Sequence, residues 1–449
     1  MKIKQPQGMT AFTLVWFGQV ISMVGSAMSG FAMTIWAWQI TGQATALALV
    51  GFFNFAPAVL FGPFAGALVD RWNKKLVMML SDLAAGVATI IMLILYQAGQ
   101  LQIWHLYILG AFSGVFQAFQ WPAYSSAISV MIPKEHYARA SGMMSFAEWG
   151  SGIFAPVLAG ALIGVIGLQG ILLIDIITFI FAISMLLVIF IPPVPRSSEG
   201  QAASGSLLKE AMFGFKYILA KPGLLGLQLV FFFGNFMATL AGMLVSPMVL
   251  ARTGNSAQIL GIVQSVGSAG GILGSLAITA WGGPKRKVNG VIFGWIFEGI
   301  FGTAMIGLLG TLPFWLIGSF FASFTGPVIN ASNQAIWQSK VPPDIQGKVF
   351  SVRRMIAQVI APLAMLITGP LADRVFEPAM RAGTGPLASF FAQITGTGVG
   401  AGMSAIMVIA GAGVVVTSLI SYLNPLVRNV ETMLPDHDQV PPATVPATD

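Results

Sequence analysis

Four carboxyl side chains fall inside long apolar stretches of the sequence, namely those of Asp82, Glu148, Asp175 and Glu298. An ionisable group at the centre of a membrane helix costs roughly 2.5 to 3.5 kcal/mol on insertion scales, so each acid is a candidate functional group. Burial away from water favours the neutral carboxyl, and no Lys or Arg lies deep in the same stretches to offset this effect. Such a carboxyl can take up and release a proton, which makes proton coupling chemically available.

Each acid also has a structural interpretation, in which its hydrogen bonds hold neighbouring helices together. Asp82 lies about two turns from the end of its stretch and could reach Lys74 or Lys75. Glu148 is the first choice for a proton-carrying group, because it precedes a run of small residues by one turn, and Glu298 is the second.

The stretches themselves must be membrane-spanning helices, because the chain lacks the polar surface of a soluble protein. Of its 449 residues, 56% are hydrophobic and 8% are charged, with a mean hydropathy of +0.82, whereas soluble domains carry about 25% charged residues. A helix needs about 20 apolar residues to cross the hydrocarbon core. Twelve stretches predict an all-α membrane protein: 11–40, 45–69, 76–98, 103–131, 140–164, 169–191, 223–250, 257–281, 288–309, 313–338, 347–372 and 400–423.

Similar motifs recur at nearly constant spacing, which predicts two related six-helix halves. Pro133 and Pro342 are 209 positions apart, and Gly66 and Gly274 are 208 apart. Transporters are often duplicated in this way, with the two halves related by an axis along the membrane normal. The predicted organisation is an N-terminal bundle over 1–191, a cytoplasmic linker over 192–222, a C-terminal bundle over 223–423 and a disordered cytoplasmic tail over 424–449.

The positions of the basic residues predict the orientation. Of the 22 Lys and Arg residues, only Arg252, Arg374 and Arg381 fall on the side opposite the N-terminus, which leaves 19 on the N-terminal side. Cytoplasmic loops accumulate Lys and Arg, so both termini are predicted to be cytoplasmic. Apolar residues at helical spacing in the linker predict an amphipathic helix on the membrane surface: Leu207, Leu208, Met212, Phe215 and Ile218.

Several classes of function are disfavoured by what the chain lacks. It has no cysteine, which excludes disulfides and thiolate metal sites. His105, His136 and His437 have no metal-binding spacing, and no phosphate-binding glycine loop is present. The net charge of +7 is explained by the cytoplasmic loops, so no nucleic-acid partner is predicted. We therefore expect neither an enzyme nor an ATP-driven pump, and no metal or organic cofactor.

The loop between the second and third stretches carries a dense motif. It resembles the signature G-x-L-x-D-R-x-G-R/K-R/K of the major facilitator superfamily, and Asn73 replaces its second glycine. Asparagine tolerates positive φ, so the expected tight turn stays feasible. The resemblance implies a cytoplasmic gate in which Asp70 binds a neighbouring helix N-terminus or a cation. The motif residues are Gly66, Asp70, Arg71, Lys74 and Lys75.

The fifth stretch contains Ser151, Ala155, Pro156, Ala159 and Gly160, which resemble a degenerate form of the antiporter signature G-x-x-x-G-P-x-x-G-G. The proline should bend the helix, and the small residues permit close packing against a neighbour. Further pieces extend the resemblance to the macrolide-efflux-like branch of the drug:proton antiporters. These pieces are Gly18-Gln19 with Ser22 and Gly25-Ser26, Asp175 with Phe179, and the run from Gly369 to Pro378.

The resemblance implies that helices 1, 4, 7 and 10 face a central cavity. Amides and aromatic rings there suit a large, weakly charged, amphipathic substrate, although hydrogen bonding between helices is the simpler role for each amide. Helix 4 lacks the arginine of many drug:proton antiporters, so no relay through it is predicted. The cavity candidates are Gln19, Gln117, Gln120, Asn235, Asn330, Asn333, Gln334, Phe116 and Phe232.

These features together predict a secondary active transporter of the bacterial plasma membrane, functional as a monomer. The resemblance implies export of a drug, a macrolide-like compound or a siderophore, with the proton gradient as the energy source. The alternative is a facilitator of the same fold for lysophospholipid or another membrane lipid. A receptor or purely structural role is the remaining possibility, and it predicts no change in substrate accumulation on deletion.

Overall fold

The computed structural model describes residues 8–132, 137–189, 207–383 and 385–436. Within these ranges the side chains of some helical residues are also outside the description, and the predicted positions Gly66, Asp70, Arg71 and Glu148 are among them. The described part of the chain is helical throughout and contains no strand. The prediction of an all-α protein is confirmed.

The described residues of the N-terminal half form five helical segments, and the fifth is broken at Gly167. They are α1 (Gly8–Thr41), α2 (Ala44–Arg71), α3 (Lys74–Gln97), α4 (Ile103–Met131) and α5 (Tyr137–Val188).

The long helix α5 contains two passes along α1. The indole N–H of Trp16 donates to the carbonyl of Met143, 2.8 Å away, while a Cβ at Gly18 would lie 3.2 Å from that of Met185. Both ends of α5 therefore lie beside the same part of α1, so the chain turns back between them. The turn is at Gly167, whose φ of 66° is a conformation that glycine adopts without steric cost.

The C-terminal half begins with a short helix and continues through long ones. They are α6 (Leu207–Leu219), α7 (Pro222–Arg252), α8 (Ala257–Trp281), α9 (Lys287–Phe297), α10 (Leu312–Lys340), α11 (Pro343–Leu371), α12 (Pro386–Thr395) and α13 (Ala401–Leu423). Two of them run on through a π-helical turn: α9 through Glu298–Ala304 to Met305–Gly307, and α11 through Ala372–Phe376 to Glu377–Ala382. Two single turns, α14 (Pro425–Arg428) and α15 (Val430–Met433), follow α13.

Ten helices in the described ranges are long and apolar enough to span a membrane. One of the ten is the stretch Trp149–Val188 of α5, which is counted once although α5 passes α1 twice. α4 has 29 residues, which is long enough to cross; it is not among the ten, and part of it lies outside the description. The described ranges thus contain helices able to span a membrane, as predicted, and the number twelve stays a prediction.

The buried apolar side chains form one shared core at one end of the bundle and separate cores at the other. The shared core joins helices of both halves, including Trp38 of α1, Leu47 of α2, Leu244 of α7 and Leu260 of α8. This end holds the α1–α2 and α7–α8 turns and is the predicted outer end. At the predicted cytoplasmic end, one core belongs to the N-terminal half alone and another to the C-terminal half alone.

Helix α11 is longer than predicted, because it continues ten residues beyond the expected end at 372. The prediction ended each span at turn and charge breaks, and Asp373 and Glu377 lie just beyond the predicted end. In the structure Asp373 accepts hydrogen bonds from backbone amides at the start of α2, and Glu377 accepts them at the start of α13. The charges therefore lie in the helix and are compensated there.

The prediction of a disordered tail from residue 424 is wrong for residues 424–436. Val427 and Val430 are buried in the core of the C-terminal half. The Nζ of Lys340 donates to the carbonyl of Glu431 at 2.5 Å and to Oδ1 of Asp436 at 2.7 Å. The polar composition of the tail gave no indication of these contacts, which hold residues 424–436 against the ends of α9 and α10. Residues 437–449 lie outside the described ranges.

The amphipathic linker helix corresponds to α6. Ile218 is 2% exposed and packs into the core of the C-terminal half. Met212 and Phe215 are 50% and 37% exposed, so an apolar face remains uncovered by the protein. Contact of this face with the membrane surface stays a prediction.

Candidate functional site

A cavity of about 630 Å³ lies between the two halves, with walls from α1, α5, α7, α8, α9, α10 and α13. Most of its lining is apolar or small: Ala27, Phe31, Gly152, Pro156, Ala238, Ala241, Gly242, Val245, Val263, Gly267, Ile306, Ala322 and Met407. Its neutral polar lining is Thr34, Ser151, Ser246, Gln264, Ser268, Thr303, Ser319 and Ser323. Glu298 is the one ionisable residue among the described residues that line it.

The carboxyl of Glu298 is buried, and only one of its two oxygens accepts a hydrogen bond from a described residue. Its residue is 4% exposed, and Oε1 accepts a hydrogen bond from Thr303 Oγ1 at 2.5 Å. Its other oxygen, Oε2, has no hydrogen-bond partner among the described residues. A buried polar atom without a partner is costly and calls for an explanation, such as binding of a proton or a ligand. Glu298 is therefore the acid in the described structure best placed to exchange a proton with the cavity.

Glu298 begins a π-helical turn that runs to Ala304, and Glu298 and Thr303 of this turn both line the cavity. π-helical turns are rare in proteins as a whole, and those that occur are often found at functional sites. Two glycines allow the turn to pack closely between α10 and α13. A Cβ at Gly299 would lie 2.7 Å from the carbonyl oxygen of Gly411 in α13, and a Cβ at Gly302 would lie 2.8 Å from the Cα of Ala322 in α10. The turn that carries Glu298 is therefore packed closely against α10 and α13.

The small-residue run in α5 packs against α8 of the other half. A Cβ at Gly261 would lie 2.5 Å from the carbonyl oxygen of Pro156, and one at Gly160 would lie 2.9 Å from that of Ala257. Ala155 and Ala159 are fully buried beside them. The predicted close packing of this run is thus present in the structure, and its partner is α8.

This contact predicts a measurable difference between two glycines. Gly261→Ala places a methyl group against the Pro156 carbonyl and should lower the free energy of unfolding by about 1 to 3 kcal/mol. Gly164→Ala, on α5 where no atom lies within 4 Å of the added Cβ, should leave it unchanged or raise it slightly. Thermal unfolding of the purified variants measures both, and equal midpoints would contradict the tight contact.

Asp82 lies in a hydrogen-bonded cluster that joins three helices of the N-terminal half. Its Oδ2 accepts from Gln19 Nε2 at 2.8 Å, and its Oδ1 accepts from Gln120 Nε2 at 2.9 Å. Gln19 and Gln120, which were predicted to face substrate, therefore bind Asp82 in this conformation. Lys75 instead donates to the carbonyls of Leu187 and Ile189, which end α5.

Asp175 is hydrogen bonded through both carboxyl oxygens. Ser26 of α1 donates to Oδ1 at 2.9 Å, and Thr89 of α3 donates to Oδ2 at 2.8 Å. The residue is 3% exposed. With both oxygens satisfied inside one half, Asp175 has the geometry of a structural link between α1, α3 and α5.

We expect Asp175→Ala to destabilise the protein without changing how its transport depends on protons. The substitution removes two hydrogen bonds that join α5 to α1 and α3 and leaves space at a buried position, which costs about 1 to 3 kcal/mol in unfolding free energy. Thermal unfolding and proton-driven transport should be measured on the same preparation. A stable variant that has lost proton dependence would make Asp175 a coupling group instead.

The loop motif differs from its predicted geometry at Asn73. Its φ is −67°, so no left-handed turn is formed; instead its side chain caps α3 by accepting from the amide of Leu76 at 3.2 Å. Lys74 donates to the carbonyl of Val69, near the end of α2. The gate predicted for Gly66, Asp70 and Arg71 concerns side-chain contacts outside the described part.

The predicted cavity residues do not line the described cavity. Gln334 accepts from Arg353 Nη1 at 2.8 Å, Asn330 donates to the Gly326 carbonyl, and Asn333 is 1% exposed. The other candidates also lie outside its walls: Gln19, Gln117, Gln120, Asn235, Phe116 and Phe232.

Sequence reasoning missed the α8 wall and the partner of Glu298. α8 contributes Gln264 and Ser268, and Thr303 lies five residues after Glu298. The run of glycine and serine from 261 to 275 was the available signal, because small residues mark close helix contacts in membranes.

Comparison with known proteins supports transport as the role of this architecture. A family model described as Major Facilitator Superfamily matches residues 15–365. Macrolide efflux protein A of Streptococcus pyogenes is 24% identical over 367 residues, which cover 81% of this chain and 90% of that protein. The enterobactin exporter EntS of Shigella flexneri is 24% identical over 352 residues, which cover 76% and 79%.

Solved structures share the fold at lower identity. A bacterial homologue of the human lysosomal transporter Spinster, inward-facing and unoccupied, has a TM-score of 0.67 at 16% identity and covers 94% of this chain and 98% of its own. A bacterial homologue of the iron transporter ferroportin, also inward-facing, has a TM-score of 0.64 at 13% identity, with coverage of 92% and 98%. The family match covers well over half of the sequence, and the chain belongs to the Major Facilitator Superfamily.

Proposed function

We propose that this transporter exports a hydrophobic or amphipathic small molecule in exchange for protons, by alternating access. The observation that carries the proposal is Glu298, a buried carboxyl with one free oxygen in the wall of the cavity between the halves. A carboxyl in such a site can bind a proton from one side of the membrane and release it to the other as access changes.

The conformation supports alternating access with an inward-facing resting state. The shared apolar core joins the halves at the predicted outer end, whereas each half has its own core at the predicted cytoplasmic end. A cavity in this arrangement would receive substrate from the cytoplasm or the inner leaflet. Export then requires the shared core to separate while the cytoplasmic ends meet.

The cavity favours a drug-sized molecule with little charge. Its volume of about 630 Å³ lies within the range of small-molecule pockets, roughly 300 to 1,000 Å³. Alanine, valine and phenylalanine side chains offer apolar contact, and the serine and threonine hydroxyls offer hydrogen bonds to neutral polar groups. The names of the relatives suggest a macrolide and enterobactin as probes.

The proposed setting is the bacterial plasma membrane, with both termini in the cytoplasm and the monomer as the working unit. The excess of Lys and Arg in the predicted cytoplasmic loops supports this orientation, and the bacterial origin of the relatives supports a bacterial membrane. The proton gradient supplies the energy, and membrane lipid and the substrate are the proposed partners.

Uptake into inside-out vesicles tests the proposal, with radiolabelled erythromycin as the first probe and enterobactin as the second. We expect accumulation when the vesicle interior is acidified, and its collapse when a protonophore is added; vesicles without the protein are the control. The lipid facilitator alternative predicts movement of a fluorescent lysophospholipid that the protonophore does not change. Substrate movement that is indifferent to the protonophore would contradict proton antiport.

A further inference from the structure

Asp373, in the π-helical turn of α11, binds the start of α2 across the boundary between the halves. Its Oδ1 accepts from the amide of Ala44 at 3.0 Å, and its Oδ2 accepts from the amide of Thr45 at 2.7 Å. The first amides of a helix have no partner within the helix. Gln43, the residue before α2, forms no capping hydrogen bond with its side chain, so a residue of the opposite half caps this helix.

The backbones of the two helices touch at the same place. Gly369 lies one turn before Asp373, and a Cβ there would collide with the Cα of Thr45. No side chain could therefore be accommodated at this position while the two helices remain in contact. The carboxylate bonds and the close approach together fix α11 against α2 at the predicted outer end.

A second acid, four residues further along α11, makes a contact of the same kind inside its own half. Glu377 accepts from the amides of Gly400 and Met403 at the start of α13, at 3.2 and 3.1 Å, and lies 3.5 Å from Nε of Arg381. Two carboxylates four residues apart thus cap two helices, one in each half. Of these two carboxylate contacts, the one made by Asp373 joins the two halves, and it must break if the halves separate at this end.

We infer that Asp373 is a positioning residue that holds the outer end closed by binding the α2 N-terminus, and that it releases α2 once in every transport cycle. The inference rests on the alternating access proposed above. A carboxylate suits this role because its charge is favoured at a helix N-terminus while the bonds remain reversible. Proton transfer by Glu298 is not part of this step.

We call the contact between Asp373 and the start of α2 the latch. Labelling of the cavity from each side of the membrane tests whether the latch holds the outer end closed. The chain has no cysteine, so Thr34→Cys supplies a single reporter in the cavity wall. Its reaction with a membrane-impermeant maleimide would be compared in right-side-out and inside-out vesicles, with and without Asp373→Asn. The amide loses at least one charge-assisted hydrogen bond, so we expect labelling from the outer side to become about tenfold faster relative to the inner side.

Glu377→Gln is the matched control, because it removes the same charge from the same helix without touching the other half. Its ratio of labelling rates should equal that of the protein carrying Thr34→Cys alone. An unchanged ratio in Asp373→Asn, or an equal rise in both variants, would overturn the inference. The assay needs neither a substrate nor a proton gradient, so its failure is distinguishable from failure of the proposed antiport.

A double variant separates the latch from simple capping of α2. Gln43→Asp gives α2 an N-cap from its own half, since aspartate is a favoured capping residue. Added to Asp373→Asn, it should restore the thermal midpoint while outer-side labelling stays fast. If it restored slow labelling as well, Asp373 would only stabilise α2, and the latch would be wrong.

Discussion

Replacing Glu298 by glutamine is expected to abolish proton-driven accumulation while leaving substrate exchange intact. Glutamine keeps the size of the side chain and can still accept the hydrogen bond of Thr303, but it cannot bind and release a proton. In inside-out vesicles, accumulation of erythromycin by Glu298→Gln should fall to the level that a protonophore leaves in the unaltered protein. Exchange of labelled for unlabelled erythromycin without a gradient should continue.

Two other buried acids provide matched controls for this variant. Asp82→Asn and Asp175→Asn each alter a carboxyl whose two oxygens are already hydrogen bonded within the N-terminal half. Both should keep proton-driven accumulation once corrected for the amount of folded protein. Full accumulation by Glu298→Gln would assign the coupling role to another acid. So would loss of accumulation in Asp82→Asn when Glu298→Gln retains it. Glu148→Gln belongs in the same series, because its side chain lies outside the described part and its role stays a prediction.

Deleting residues 425–449 is expected to destabilise the C-terminal half strongly. The deletion removes Val427 and Val430 from the core, and it removes the carboxylate of Glu431, which accepts from the amides of Lys287 and Val288 at 3.0 and 2.9 Å. Loss of the buried valines and of these charged hydrogen bonds should lower the free energy of unfolding by about 3 kcal/mol or more. Thermal unfolding of the purified protein is the measurement.

A shorter deletion separates this effect from loss of the tail as such. Removing residues 437–449 keeps the bond between Lys340 and Asp436 and every described contact of α14 and α15. Its midpoint should match that of the full chain. Equal midpoints for both deletions would mean that the contacts of residues 425–436 do not contribute to stability.

The membrane helices were predictable from the sequence to within a few residues, because apolar runs of sufficient length have few alternatives in lipid. The turn between the two passes of α5 was expected between residues 164 and 169, and it occurs at Gly167. Helix ends that depend on distant partners were not predictable. α11 continues past Asp373 because α2 satisfies that charge, and a local pattern contains no information about such a partner.

The candidate site was predictable in residue type but not in arrangement. A carboxyl in an apolar run marked Glu298, yet nothing in the sequence indicated the π-helical turn that it begins or the free oxygen that distinguishes it. Gln19 and Gln120 were assigned to the cavity by helix number, and they bind Asp82 instead. Which face a polar residue occupies depends on packing between helices, and a single sequence does not determine it.

Proton movement driven by substrate alone tests the central claim most directly. Proteoliposomes holding a pH-sensitive dye, with the membrane potential clamped, would be given an erythromycin gradient and no pH gradient. The account predicts that protons move opposite to erythromycin through the unaltered protein and that this flux is absent in Glu298→Gln. Erythromycin movement through the unaltered protein without any proton flux would contradict it.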